Sequence, residues 1–208
     1  MRFCSTCQRL RQLAASSQTL WETVSYGAGG SSFHSFAVWV SHHARQLRRL
    51  SLRLPCVSAR QEEVGHTAYF LLGGLKDSQL QSLSVNAFFC RLPVLPVLGQ
   101  LRQLKQLKLT DHHSTNPSPL SVPQQLSHLS SLTRMDLGQR HGYTLADGCL
   151  PASLLCLRVR LAAVSLPPTI LAATQLQRLE LESDRMPGPN ALDCAGLDAL
   201  SHLTLLGL

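Results

Sequence analysis

Residues 104–109 read Leu-Lys-Gln-Leu-Lys-Leu, and the same spacing of three aliphatic residues recurs at six other places in the chain. The pattern is Leu-x-x-Leu-x-Leu, with Val or Met replacing one leucine in some copies. The seven aliphatic triplets are Leu47/Leu50/Leu52, Leu80/Leu83/Val85, Leu104/Leu107/Leu109, Leu132/Met135/Leu137, Leu154/Leu157/Val159, Leu176/Leu179/Leu181 and Leu203/Leu206/Leu208. Their first leucines are separated by 33, 24, 28, 22, 22 and 27 residues, which indicates an internal repeat with one over-long first step.

These hexads predict an α/β solenoid. Their spacing brackets the period of about 20 to 29 residues that is typical of leucine-rich repeats, in which each repeat supplies one short strand and one return segment. Neither part can bury its apolar side alone, so the stacking of neighbours creates the core. We therefore expect a leucine-rich repeat array of about seven units over residues 47–208, with parallel strands on its concave face. Function is then expected on a surface and not in a cleft.

Composition and charge agree with such an array. Hydrophobic residues make up 44% of the 208 residues but aromatic residues only 5%, as expected when equivalent positions stack on one another. The net charge of +7 comes from residues 1–60, which hold eight arginines against Glu22 alone. This excess indicates either a solvated basic face or a patch that meets an acidic protein or a polyanion.

The cysteines favour a reducing compartment. There are seven of them, scattered without the spacing of a disulfide framework. Arg9 and Arg11 interrupt the N-terminus before an apolar stretch of leader length forms, and no run of about 18 apolar residues occurs. We expect an intracellular, cytoplasmic protein without a membrane partner; a nuclear or cytoskeletal location stays open.

Three segments are predicted along the chain. Residues 1–25 have helical spacing and end in a Leu-Trp pair. Residues 26–46 combine a Gly/Ser-rich linker with an amphipathic helix from Ser35 to Arg45, which we expect to cap the first repeat. Residues 47–208 form the array, and its over-long first step holds a helical segment from Arg60 to Leu75.

The residues that alternate with the hexad leucines are predicted to form a protein-binding concave face, because successive side chains of a strand point to opposite sides of the sheet. Arg158 and Arg160, near Arg134 and Arg178, form its densest basic group, which either pairs with a ligand's carboxylates or phosphates or is neutralised by neighbouring glutamates. The predicted face consists of Arg49, Ser51, Arg53, Ser82, Ser84, Asn86, Gln106, Lys108, Thr110, Arg134, Asp136, Arg158, Arg160, Arg178, Glu180 and Glu182.

No constellation in the sequence predicts catalysis, a metal site or a cofactor. The adjacent pairs His42-His43 and His112-His113 face apart in any regular structure, and no acid is placed to orient them. Cys4-x-x-Cys7 is half of a zinc site without its second half. Nucleic-acid binding is disfavoured, because the basic residues are not interleaved with aromatic ones.

The stretch Cys7-Gln-Arg-Leu-Arg-Gln-Leu-Ala14, followed by Leu20-Trp21-Glu22, resembles the C-terminal half of an F-box. Residues 36–44, which precede the first hexad, resemble F-box and leucine-rich repeat proteins of green algae and plants. The resemblance implies a substrate-receptor subunit of an SCF ubiquitin ligase, in which the F-box docks on the Skp adaptor and the repeats hold the target. The residues it implies for the adaptor contact, or for capping the array, are Leu10, Leu13, Leu20 and Trp21.

Two other functions stay open at this point. The first is a stand-alone leucine-rich repeat scaffold without a ubiquitin role, associated for example with the cytoskeleton or the axoneme. The second is a polyanion binder that uses the arginine-rich end, for which affinity falls steeply with salt.

Overall fold

The chain forms a ten-stranded sheet in which every described strand pair is parallel. The computed structural model describes residues 22–27, 32–54, 61–87, 95–111, 119–139, 141–162, 165–183 and 195–207. The strands are β1 (Thr23–Tyr26), β2 (Arg49–Arg53), β3 (Ser82–Asn86), β4 (Gln106–Asp111), β5 (Leu120–Val122), β6 (Arg134–Gln139), β7 (Tyr143–Leu145), β8 (Cys156–Leu161), β9 (Arg178–Ser183) and β10 (Leu205–Gly207). The helices are α1 (Phe33–His43), α2 (Gln61–Gly74), α3 (Leu95–Leu98) and α4 (Pro168–Leu171), with 3-10 turns at Ala44–Gln46, Gln124–His128 and Leu197–Ala199.

Eight strands pair in chain order, as β1-β2-β3-β4-β6-β8-β9-β10. Each of the seven hexads contributes one strand to this main ladder. The middle residues of the triplets stand at one register position: Leu50, Leu83, Leu107, Met135, Leu157, Leu179 and Leu206. The prediction of an α/β fold with parallel strands is therefore confirmed.

The core lies on one side of this sheet. Along β2 the side chains alternate between exposed and buried, so that Leu50 and Leu52 are buried while Arg49, Ser51 and Arg53 are exposed. The same alternation continues through β3, β4, β6 and β8, as the two-residue period of a strand requires. We call the solvent-facing side of the main ladder the outward face.

The start of each main-ladder strand repeats one backbone arrangement. A carbonyl just before one strand accepts hydrogen bonds from two consecutive amides at the start of the next, with N–O distances of 2.7 to 3.2 Å. The seven acceptors are the carbonyls of Glu22, Arg48, Gln81, Lys105, Thr133, Leu155 and Gln177. These bonds satisfy backbone groups that would otherwise lack partners where the strands begin.

Two helices cover the first part of the core. α1 buries Phe33, Ala37 and Val40 at helical spacing, and it packs against α2, which buries Ala68, Leu71 and Leu72. Their positions match the helices predicted in the linker-and-cap segment and in the over-long first step. Among the described residues, no helix combines the length and apolar character needed to cross a bilayer.

Strand β1 was not predicted from the sequence, in which a flexible linker was expected to begin at Tyr26. Tyr26 instead ends a strand that pairs in parallel with β2, opposite Leu52. Its ring lies 5.0 Å from that of Phe33 and 4.9 Å from that of Phe36, so it is buried against α1. The alternation of Val24 and Tyr26 was the signal for this strand. Residues 1–21, where a helical segment was predicted, lie outside the described residues.

Candidate binding surface on the outward face of the sheet

All sixteen predicted face residues lie in main-ladder strands, and every one of their side chains is exposed or half-buried. The strand register aligns them in three rows that run across the sheet. The first row holds Arg49, Ser82, Gln106, Arg134 and Arg178; the second holds Ser51, Ser84, Lys108, Asp136, Arg158 and Glu180; the third holds Arg53, Asn86 and Thr110 and, after a break, Arg160 and Glu182.

The part of the outward face that β8 and β9 form is tied together by ion pairs. Glu182 accepts hydrogen bonds from two arginines, one on each carboxylate oxygen: Arg158 Nη2 lies 2.8 Å from Oε1, and Arg160 Nη2 lies 2.7 Å from Oε2. Both Nε atoms also donate to these oxygens at 3.2 Å. Glu180 pairs with Arg178 and lies 3.5 Å from the Nε of Arg158.

These contacts fix the charge states of the cluster. Hydrogen bonds from Arg158 and then from Arg160 hold the pKa of the Glu182 carboxyl below its ordinary value of 4.5. The hydrogen bonds to Glu182 in turn raise the pKa of Arg158. The two glutamates therefore pair with Arg158, Arg160 and Arg178, as in one of the two alternatives that the sequence left open, while Arg134 makes no ion pair with a described residue.

The β2 and β3 part of the face has a different character. Arg49 and Arg53 are exposed, and neither makes an ion pair with a described residue. The neighbouring strand β3 presents only the short uncharged side chains of Ser82, Ser84 and Asn86. The next carboxylate along the second row is Asp136, whose Oδ2 lies 3.1 Å from the Nζ of Lys108.

A hollow of about 290 Å³ opens between β6 and β8. The pairing of these strands ends at Leu137 and Val159, after which β6 continues along β4 while β8 continues along β9. The residues that line the hollow are Lys108, Thr110, Asp136, Leu137, Gly138, Gln139, Arg158, Arg160 and Glu182. Sequence reasoning named six of these residues as members of the face, all except Leu137, Gly138 and Gln139, but missed the hollow, because it depends on where the pairing stops.

Gln139 is a buried polar residue that sequence reasoning overlooked. Its side chain is only 2% exposed, and neither polar atom of its carboxamide has a hydrogen-bond partner among the described residues. It follows Met135 and Leu137 at two-residue spacing, so it belongs to the core-facing row and not to the outward face. An unpaired buried amide lowers stability, and no pattern in the hexads signals it.

Away from the face, the described titratable residues form no cluster that could hold a metal ion, because no three His, Cys, Asp or Glu residues lie close enough together. The Nδ1 of His43 lies 2.8 Å from the carbonyl oxygen of Trp39, and its ring stacks on that indole. Burial raises the pKa of the Cys149 thiol. His112, His113, Cys4 and Cys7 lie outside the described residues.

A second surface hollow, of about 630 Å³, lies on the return segments and not on the outward face. Lys76, Arg102 and His128 line it together with Asp77. Because it involves no predicted site residue, this region provides positions for control substitutions.

The predicted adaptor-facing or capping residues Leu10, Leu13, Leu20 and Trp21 lie outside the described residues. The first described residue after them is Glu22, whose carbonyl accepts the amides of Arg48 and Arg49. A scan against protein-family models finds none that matches the chain. A search of curated proteins also finds no match.

Proposed function

We propose that this chain is a leucine-rich repeat array that binds another protein on the concave, outward face of its sheet. The observation that carries the proposal is the alignment of sixteen polar side chains in rows across six neighbouring strands of the main ladder, β2, β3, β4, β6, β8 and β9. With strands about 4.8 Å apart, this strip is roughly 24 Å wide. A strip of that width fits a protein segment and not a metabolite.

The chemistry of the strip supports binding over catalysis. Its charged residues on β8 and β9 are held by one another, which leaves no acid or base poised beside a nucleophile. The short hydroxyl and amide side chains of β3 offer hydrogen bonds to a polypeptide. We therefore propose a binding protein and not an enzyme.

The resemblance of residues 7–22 to an F-box leads us to propose that the bound protein is the target of an SCF-type ubiquitin ligase in a reducing intracellular compartment. Under this proposal the F-box-like segment docks on the Skp adaptor. β1 begins at Thr23, two residues after Trp21, and it is the first strand of the main ladder. Such a connection would leave little slack between the adaptor and the target.

The face is tested by blocking it. Ser84 lies in the middle row between Ser51 and Lys108, so Ser84→Tyr places a bulky uncharged side chain over the strip. We expect this variant to lose the partners that proximity labelling finds for the unmodified chain, while keeping its circular dichroism and melting temperature. The matched control is His128→Tyr on the exposed return segment. Partners that remain with Ser84→Tyr would refute the proposed face.

The ubiquitin role is tested separately by capture of the Skp adaptor. We expect the full chain to capture the adaptor and Trp21→Ala to lose it, with Phe70→Ala, an exposed change on α2, as the control. If face-dependent partners persist while no adaptor is captured, the chain is a stand-alone scaffold. In that case the receptor proposal is wrong and the binding proposal stands.

A further inference from the structure

We propose that the partner contributes an acidic, extended segment, and that this segment lies over the β2–β6 part of the outward face. This inference rests on the proposed function and deepens it by naming the chemistry of the partner. The surface concerned, which we call the arginine trough, consists of Arg49 and Arg53 on β2, Ser82, Ser84 and Asn86 on β3, and Arg134 on β6.

The arginines of the outward face differ in whether they already make ion pairs with described residues. Arg158, Arg160 and Arg178 each donate to a glutamate of β9, so a ligand carboxylate would have to displace an existing partner. By contrast Arg49, Arg53 and Arg134 are exposed and make no ion pair with any described residue. Guanidinium groups in this state can form paired hydrogen bonds with incoming carboxylates without that competition.

The strand register sets the width of the arginine trough. Arg49 and Arg134 stand in the same row three strands apart, with Ser82 and Gln106 between them. At about 4.8 Å per strand they are roughly 14 Å apart across the sheet, wide enough for one extended chain. The short side chains of β3 leave space between β2 and β4, and their hydroxyl and amide groups can bond the chain that fills it. Gln106 and Lys108 of β4 border this space on the side of Arg134.

The side chains of this surface favour an acidic protein over a nucleic acid as the ligand. Single-stranded nucleic acids are held by aromatic side chains on which bases stack, together with a basic groove. The outward positions of β1 to β6 in the main ladder carry Thr, Ser, Arg, Asn, Gln, Lys, Asp and Gly, and no aromatic residue. The surface therefore offers charge and hydrogen bonds without a stacking platform, which favours an acidic peptide.

The test measures binding of a defined probe to the full chain. The probe is a fluorescent peptide of about a dozen residues in which Glu and Ser alternate, and its neutral counterpart has Gln in place of Glu. We expect the acidic peptide to bind and the neutral one not to bind. The triple variant Arg49→Ser, Arg53→Ser, Arg134→Ser should weaken binding by about tenfold or more, because each change removes a charge-assisted contact. Fluorescence anisotropy at about 0.1 M salt gives the dissociation constants, since higher salt would mask exposed charges.

The matched control removes the same charge from the return segments, with Arg45→Ser, Lys76→Ser and Arg102→Ser, all at exposed positions. We expect the control to bind the acidic peptide within about twofold of the unmodified chain. Should either triple variant fold poorly, the single reversals Arg49→Glu and Arg102→Glu provide the same comparison.

Three results would overturn the inference. They are absence of binding by the acidic peptide, equal weakening by the two triple variants, and tighter arginine-dependent binding of a single-stranded oligonucleotide. None of these refutes the proposed function, which is judged by the loss of partners in Ser84→Tyr. If that variant loses its partners while the triple arginine variant keeps them, the outward face binds a protein and the proposed acidic segment is wrong.

Discussion

At the scale of single residues, Glu182 decides how much positive charge the β8 and β9 part of the sheet presents to solvent. One carboxylate on β9 holds two guanidinium groups of β8 that would otherwise repel each other along that strand. These side chains are about a third to a half exposed, so solvent screens the attraction. The main effect of Glu182 is therefore on the availability of Arg158 and Arg160, and its effect on stability is small.

This role predicts a dependence of stability on pH. The pKa of Glu182 is lowered in the folded chain, so its contribution is present above the ordinary carboxyl value of 4.5 and is lost as pH falls through the lower folded value. We expect Glu182→Gln to cost about 0.2–1 kcal/mol at pH 7, the range of exposed ion pairs, and close to nothing at about pH 2. Urea unfolding at both pH values measures the difference.

The control for this experiment is Asp147→Asn in the turn after β7, which removes an exposed carboxylate that has no ion pair with a described residue. It should leave the free energy of unfolding nearly unchanged at both pH values. A Glu182→Gln cost that is the same at low and neutral pH would contradict the assigned ion pairs.

At the scale of elements, the side branch of β5 and β7 depends on one turn. β7 joins the main ladder where Tyr143 stands opposite Leu161 of β8. The turn before it contains Gly142, whose φ of +71° lies in the left-handed region. A Cβ there would approach the amide nitrogen of Ala162 to 2.6 Å. Both the backbone conformation and the space thus require glycine.

We therefore expect Gly142→Ala to be more destabilising than Gly148→Ala. Gly148 also has a positive φ, +67°, but a Cβ there would meet nothing within 4 Å. Its substitution should cost only the conformational strain of about 1–2 kcal/mol, whereas Gly142→Ala adds a steric clash with backbone. Thermal unfolding of the two variants measures this difference. Equal costs would show that the turn moves aside and that the close approach is unimportant.

The hexad strands could be predicted from the sequence, but the short strands between them and the side-chain contacts across strands could not. Each hexad became one strand because its leucines repeat at the two-residue period in phase with those of its neighbours. The three-residue strands β5 and β7 were not predicted, because they lie between the hexads and pair mainly with each other. In the candidate site, sequence order identified the face residues. It could not show that Glu182 reaches both Arg158 and Arg160, since that depends on the register of β8 with β9.

At the scale of the whole molecule, the free energy of unfolding that is lost when a core leucine is truncated depends on where its strand lies in the main ladder. Leu157 is fully buried between Met135 and Leu179, whereas Leu206 is 41% exposed in β10 and pairs with Leu179. We expect Leu157→Ala to cost about 2–5 kcal/mol, as a buried leucine truncation does, and Leu206→Ala to cost clearly less. Denaturant unfolding compares the two. Similar costs would contradict a stack in which each strand is stabilised by its neighbours.

The paired amides at the strand starts have a consequence for how such a chain changes through evolution. Because main-chain atoms form each of these seven joints, their geometry does not depend on which side chain stands there; Glu, Arg, Gln, Lys, Thr and Leu all occupy the acceptor position. A duplicated unit inserted by unequal recombination would bring its own two donors and its own acceptor. A unit gained or lost in this way would leave the remaining joints intact, and each added strand would extend the outward face by one step.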